Sequence, residues 1–308
     1  MPDEHAPILI VVNPKAGGGL AGELVPYLAR DLGRLGYPVE VFQSSAAGQI
    51  TQHVRAISEP LRALTVIGGD GTVREVLAGE PGPDLPIAVL PAGTANVLAA
   101  ELRLPKSPRD TAQMIDARHT RVIDLGLLRR PHMPDEPFAL FVGAGADARI
   151  VHKVHAKRGS GTLGKLRYIG PIFGALLQYK AVAHWFVLED GSRVGPFEQV
   201  LVTNVTSYGG MWKLPGPIRT DDGLLDCIGF RAKNGRELLK QGVLGMLNKL
   251  HEGDDVVHLQ AARVRVEAEA DSPVQVDGDP LGECPFEVVV RPRAVRLAVP
   301  RPTRDDKD

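Results

Sequence analysis

Val66-Ile67-Gly68-Gly69-Asp70-Gly71-Thr72-Val73-Arg74-Glu75-Val76 is the stretch whose reading decides the fold. An apolar run, Leu64 to Ile67, stops at glycines, an acid and a hydroxyl, and Glu75-Val76-Leu77-Ala78 then reads helical. Strand, glycine turn, helix is the order that aims backbone N–H groups and a helix N-terminus at an anion. Gly68, Gly69 and Gly71 let the chain approach a phosphate closely and take φ > 0 where needed. Thr72 suits the helix cap, with Glu75 three residues on as its capping-box partner. Beside phosphates, Asp70 is useful only through a metal ion or water, because bare carboxylate and phosphate repel.

An ordinary strand-to-helix turn would explain this loop alone. A second loop of the same kind follows it: Leu90-Pro91-Ala92-Gly93-Thr94-Ala95-Asn96, after the apolar Ile87–Leu90 and before the helix-like Val97–Leu102. Two such turns after successive strands would lie side by side at one rim of a parallel sheet, where such folds bind ligands. A weaker third precedes both, Asn13-Pro14-Lys15-Ala16-Gly17-Gly18-Gly19 after Ile8–Val12. It is neither a Walker A loop nor a GxGxxG fingerprint. The three loops point to a nucleotide site of another kind.

Asn13-Pro14-Lys15-Ala16-Gly17, Gly68-Gly69-Asp70-Gly71-Thr72 and Gly93-Thr94-Ala95-Asn96 resemble the diacylglycerol kinase catalytic domain family, its soluble bacterial lipid kinases above all. The resemblance runs nearly end to end, through Asp221-Asp222-Gly223-Leu224-Leu225-Asp226 and Val276-Asp277-Gly278-Asp279. Gly-Gly-Asp-Gly-Thr alone is shared with NAD kinases and phosphofructokinases; the two later motifs favour the lipid kinases. The resemblance implies an α/β domain with a parallel sheet, then an antiparallel β-sandwich, with the active site in the cleft between them. It implies ATP and magnesium, a diacylglycerol-like lipid substrate, and a cytoplasmic protein in transient contact with the inner membrane face.

Phosphoryl transfer needs a phosphate cradle, a divalent cation and a base or orienter for the attacking hydroxyl. The cradle is Gly69, Asp70, Gly71 and Thr72, running on through Val73, Arg74 and Glu75, with Thr94 as a second hydroxyl and Asn96 holding its own loop. By resemblance Ser44 also contacts the nucleotide, although locally it is a plain loop serine; Lys15 is the nearest cation. For the metal at the phosphates Asp70 comes first, and Asp124 sits where the family has an acid in the same aqueous network. Asp277 and Asp279 are both candidates for the base, although spacing alone also fits a β-turn with two solvated acids. The Asp222 loop resembles the family's structural magnesium site, with the carboxylate of Asp222 and the carbonyls of Arg219 and Leu224 as ligands. An Asp-Gly hairpin fits the same residues. Val97, Arg74 and Asp279 stand where the family commonly has Asp, Asn and Glu.

The 308 residues suffice for two domains. We place them at 1–125 and 126–292, followed by a charged tail at 301–308; the resemblance implies that 293–300 returns to the first domain. Lysine plus arginine is 36 against 37 acids, so the net charge calls for no nucleic acid. No run approaches the roughly 20 apolar residues of a membrane span, and Met1–His5 is unlike a signal peptide. Cys227 and Cys284 lie far apart and read as reduced core residues. Strands and helices alternate to about residue 125, the last helix spanning Thr111–Asp116. Short strands with few helices follow, among them Phe138–Val142 and Phe286–Val290, with a final strand at Ala294–Val299. The glycine-rich Phe141–Ala148 reads as no more than a wall of the cleft.

Two helical stretches interrupt the strands. In one, Lys153, Lys157, Arg158, Lys165, Arg167 and Lys180 interleave with apolar residues, which suits either anionic lipid headgroups or a buried helix with a basic edge. In the other, Leu238, Leu239, Met246, Leu247 and Leu250 share a face expected to pack in the core. Three other functions are compatible with these residues: an NAD kinase, a sphingoid-base kinase, and a catalytically silent nucleotide- or lipid-binding regulator. The residues do not set the oligomeric state.

Overall fold

The computed structural model describes residues 6–156, 181–208, 212–232, 234–247, 249–250 and 255–302. It divides into two compact units, Met1–Ile123 with Arg293–Asp308, and Asp124–Pro292.

In the first unit β1 (Ile8–Val12), α1 (Leu20–Arg34), β2 (Val39–Gln43), α2 (Gln49–Arg55), β3 (Ala63–Gly68), α3 (Asp70–Ala78), β4 (Pro86–Pro91), α4 (Val97–Glu101) and α5 (Pro108–Asp116) follow in turn. The strands pair in parallel in the order β2-β1-β3-β4. Every residue of β1 and β3 is buried, as expected of parallel strands covered on both faces. α1 turns Ala21, Val25, Leu28 and Leu32 inward as one stripe at helical spacing.

α4 begins at Val97 because Asn96 takes a left-handed φ of 51°, outside helical space. α5 begins at Pro108 rather than Thr111, since the Ser107 hydroxyl accepts the Asp110 N–H at 3.1 Å and Pro108 needs no N–H partner there.

β5 (Thr120–Arg129) leads into the second unit. There β6 (Glu136–Phe138), β7 (Phe141–Gly145), α6 (Ala146–Ala156), β8 (His184–Val187), β9 (Arg193–Phe197), β10 (Gln199–Thr203), β11 (Ser207–Tyr208) and β12 (Trp212–Lys213) come first. β13 (Leu225–Phe230), α7 (Gly235–Met246), β14 (Val256–Ala261), β15 (Arg263–Ala268), β16 (Pro273–Val276), β17 (Asp279–Glu283) and β18 (Phe286–Ala298) complete it. One antiparallel sheet runs β14-β13-β10-β7-β16-β17; a second antiparallel layer is built from β18, β15, β8 and β9. Val142, Val200 and Val202 of the first sheet meet Phe186, Val264, Val266 and Val288 of the other in one core. Leu201, Ile228, Phe230 and Val256 of this sheet turn to the opposite face, where Leu214 and Ile218 pack with them. This two-sided burial follows from the period-two alternation of β10 and β13. It is the expected α/β unit followed by an antiparallel β unit.

Within that class three details depart from the sequence reading. Phe138–Val142, taken as one strand, is split between β6 and β7. β9, β11, β12 and β17 are additional strands. Phe286–Val290 and Ala294–Val299, read as two strands, form the single thirteen-residue β18. It pairs with β15 as far as Val289, and Arg296 and Leu297 then pair in parallel with Pro86 and Ile87 of β4.

Candidate phosphate site and carboxylate turn

The three glycine loops of the first unit converge. β3 and β4 pair in register up to Gly68 against Pro91, and the Ala92 N–H continues the ladder to the Gly68 carbonyl at 2.8 Å. A methyl group on Gly69 would stand 3.0 Å from the Gly93 Cα, and one on Gly93 would strike Gly69. A methyl group on Gly17, whose φ is +61°, would strike the Ala92 carbonyl, so the loop at residues 13–19 packs on the loop at residues 90–96. Ser44 is buried after β2, with its N–H on the Val12 carbonyl at 3.0 Å. Lys15 and Thr94 are exposed, while Arg74 is half-buried.

The roles expected within the central loop change. Gly68 and Gly69 do not take positive φ; they are needed for close approach, Gly68 because a methyl group there would strike the Thr72 side chain. Thr72 does not cap α3: the cap is Gly69, without a side-chain bond, and Thr72 is buried inside the first turn. Glu75 is no capping-box partner either, since its carboxylate accepts the Gly48 N–H at 3.1 Å.

Asp70 spends its carboxylate on the next helix. Its two oxygens accept the Val97 and Leu98 N–H groups at 3.1 and 3.2 Å, which caps α4. Burial pushes this carboxyl above its ordinary value, and the backbone N–H groups of Val97, Leu98, Asp70 and Asn96 pull it back down. Asn96 closes the loop by accepting the Gly93 N–H and donating to the Gly93 carbonyl, both at 2.8 Å. Val97, the departure from the family pattern, is buried.

In the second unit Asp277 and Gly278 form the two-residue turn between β16 and β17, with φ of 47° and 89°. Left-handed φ at both positions is what a tight Asp-Gly hairpin requires. Asp277 is not a solvated acid: its carboxylate accepts the N–H groups of Ala139, Leu140 and Phe141 at 3.2, 3.2 and 2.9 Å. Asp279, half-buried, begins β17.

Beneath this turn lies a polar web around Asp147, which was read from sequence only as wall. The Asp147 carboxylate accepts from Gln199 Nε2 (2.6 Å), the Ala148 N–H (2.6 Å), Gln275 Nε2 (3.0 Å) and the Tyr208 hydroxyl (3.1 Å). Gln275 Oε1 in turn accepts the Gly278 N–H at 2.9 Å, which ties the web to the turn. Burial raises the Asp147 carboxyl, and burial together with the Asp147 charge raises the Tyr208 phenol. Two signals for it stand in the sequence: glutamines inside apolar strands, and Gly143, where a methyl group would strike Asp147.

The remaining candidates are in the same unit. Asp124 is buried and its carboxylate accepts the Gly223 N–H at 2.7 Å. Asp222 is exposed and accepts the Leu224 N–H at 3.1 Å. The Asp222–Gly223 pair closes no hairpin, because β13 pairs with β10 and β14. Arg219 is exposed and Leu224 half-buried. Thr220 Oγ1 and Asp226 Oδ2, on either side of this loop in sequence, are buried with no hydrogen-bond partner among the described residues. Among the described residues no three His, Cys, Asp or Glu side chains cluster as metal ligands. His152 bonds the Val274 carbonyl at 2.9 Å as a structural histidine. Burial pushes the Cys284 thiol up to about 12 and raises Cys227 further, so both stay protonated. Lys157, Arg158, Lys165, Arg167 and Lys180 lie outside the described residues.

Residues 7–128 match the diacylglycerol kinase catalytic domain, and residues 140–299 match the YegS C-terminal NAD kinase beta sandwich-like domain. The chain belongs to the bacterial diacylglycerol kinase and YegS-like lipid kinase family. It is 27% identical over 302 residues to the diacylglycerol kinase of Mycobacterium tuberculosis H37Rv, covering 97% of this chain and 96% of that protein. It is 23% identical over 303 residues to the diacylglycerol kinase of Bacillus subtilis 168, covering 97% and 98%. A crystal structure of a diacylglycerol kinase from Bacillus anthracis shares the fold, with a TM-score of 0.70 at 18% identity over 97% of this chain and 98% of that one. As a family, these lipid kinases use ATP. Among the described residues no helix is long and apolar enough to cross a membrane.

Proposed function

We propose that this lipid kinase transfers the γ-phosphoryl group of ATP to the hydroxyl of diacylglycerol or a closely related lipid. The observation that carries this reading is the convergence of three glycine loops: those at residues 13–19 and 68–72 each pack on the one at 90–96 so closely that no side chain fits at Gly17 or Gly93. That geometry presents backbone N–H groups and a helix N-terminus to polyphosphate. The first-turn N–H groups from Gly69 to Thr72 cradle the phosphates, with the exposed Thr94 hydroxyl beside them. The following turn, Val73 to Glu75, Asn96 and the buried Ser44 hold that cradle in shape.

In the reaction the lipid hydroxyl oxygen bonds to the γ-phosphorus as the bond to the bridging oxygen breaks. ADP leaves, and the hydroxyl proton passes to a carboxylate. Asp277 fits the orienting carboxylate, because three N–H bonds hold it in one position before substrate arrives. Asp279, its neighbour, is the other acceptor.

Magnesium, when bound, neutralises phosphate charge. The residues fit a weak all-oxygen site: Asp222 with the carbonyls of Arg219 and Leu224, next to the orphaned oxygens of Thr220 and Asp226. Asp124 steadies that loop through Gly223. Asp70 retains lone pairs for water of a phosphate-bound ion after capping α4. A diacylglycerol-like substrate lies in a bilayer, so the protein works in transient contact with the inner face of the membrane.

The test is transfer of labelled γ-phosphate from magnesium-ATP to diacylglycerol, ceramide, a sphingoid base and NAD offered in parallel, with Asp70→Ala as control. Label in diacylglycerol that is lost in the variant is expected. Removing the cap of α4 costs about 1 kcal/mol, so the variant stays folded. Label in NAD, or no label with ATP tightly bound, would overturn the reading.

A further inference from the structure

α7 was expected to bury its leucines in the core, and the structure turns part of that set outward. Leu239, Val243 and Leu247 are 36, 47 and 59% exposed. Spaced four apart, they form a stripe along one side of the helix and its C-cap. At 100° per residue Arg236 and Lys240, also exposed, fall on the same side. The opposite side faces the protein: Gln241 is buried with its amide on the Arg231 carbonyl at 2.8 Å, and Gly245 is buried. Glu237, the acid of this helix, falls at the edge of that side, about 60° beyond Lys240, and accepts from Asn234 Nδ2 at 3.1 Å. The outward face therefore carries aliphatic side chains and two cations, with one carboxylate at its edge and a net positive charge.

We propose that this face of α7 seats the protein on an anionic lipid bilayer, with the aliphatic side chains entering the interface and Arg236 and Lys240 meeting headgroup phosphates. The charge selects the occupant. A second copy docked face to face would bring like cations together, whereas an anionic surface pairs with both at once. The choice of a bilayer rests on the lipid-kinase reading. Three aliphatic side chains and two cations make a reversible attachment rather than an anchor.

The experiment sediments the full-length protein, without ATP, with phosphatidylcholine vesicles containing or lacking phosphatidylglycerol. The wild type is expected to bind the anionic vesicles better. Arg236→Gln with Lys240→Gln is expected to reduce that binding roughly thirtyfold. Leu239→Ser, Val243→Ser and Leu247→Ser together are expected to abolish binding to both vesicle types. All these positions are exposed, so unchanged melting temperatures should confirm the fold. Transfer to a short-chain diacylglycerol dispersed in water should stay within about twofold of wild type, since no α7 residue belongs to the reacting site. Wild type that ignores vesicles, or variants that bind as well as it does, would overturn the docking surface. Loss of a dimer rather than of vesicle binding in the aliphatic variant would overturn it too. Vesicle binding that the variants lose, in a protein that transfers no phosphate, would support the surface and overturn the kinase reading alone.

Discussion

At Gly69 and Gly93 two backbones meet with no space for even a methyl group. Gly93→Ala must therefore push the loops at residues 68–72 and 90–96 apart. Overpacking of this kind costs about 1–3 kcal/mol, and it should weaken ATP binding at least tenfold while the protein remains folded. Calorimetric titration with ATP and a melting curve measure the two effects, and unchanged affinity would place the nucleotide elsewhere. Asp277 and Asp279 divide along similar lines. Asp277→Asn keeps the left-handed turn, which asparagine tolerates, but puts an amide N–H against a backbone N–H. If Asp277 is the orienting group, its variant loses roughly two to four orders of magnitude in turnover while Asp279→Asn loses much less. The reverse ranking would give the proton to Asp279. Two acids on a tight turn can be read from sequence, but the three amides that hold one of them stand more than 130 residues away.

At the scale of elements, the Asp147 web clamps α6 to β10, β11 and β16 and reaches the carboxylate turn through Gln275. Asp147→Ala would remove the acceptor shared by Gln199, Gln275, Tyr208 and the Ala148 N–H, and should cost at least about 2 kcal/mol. Its pH dependence has a definite sign. Burial raises this carboxyl, so the fold holds the proton more tightly than the unfolded chain does. The group's contribution to stability is full below the ordinary aspartate value of about 3.9. It is lost as the pH rises through the raised value. Melting temperatures of wild type and Asp147→Asn, compared from about pH 4 to neutrality, should show wild type losing ground as the pH rises. A gap independent of pH would mean that the carboxyl titrates normally. The strands of this web were legible from their alternation, and their bonding was not, because a glutamine in a strand does not announce its partner.

Over the whole molecule, a single magnesium loop would link ion binding to stability. Millimolar magnesium should raise the melting temperature of the wild type by a few degrees and leave Asp222→Ala unmoved; equal shifts in both would put the ion elsewhere. The sequence by itself determined the class of fold and the three converging loops. Hydrophobic period and glycine punctuation are properties of neighbouring residues, and they survive in any tertiary setting. The family likeness rests on those same local motifs. Tertiary structure decided what each carboxylate is for: Asp70 caps α4, Asp277 takes three distant amides, and Asp147 is buried under the turn. It also decided which side of α7 faces solvent, since an amphipathic pattern states that a helix has two faces and not what covers each. Those outcomes depend on contacts between residues far apart in the chain, and only packing brings such residues together.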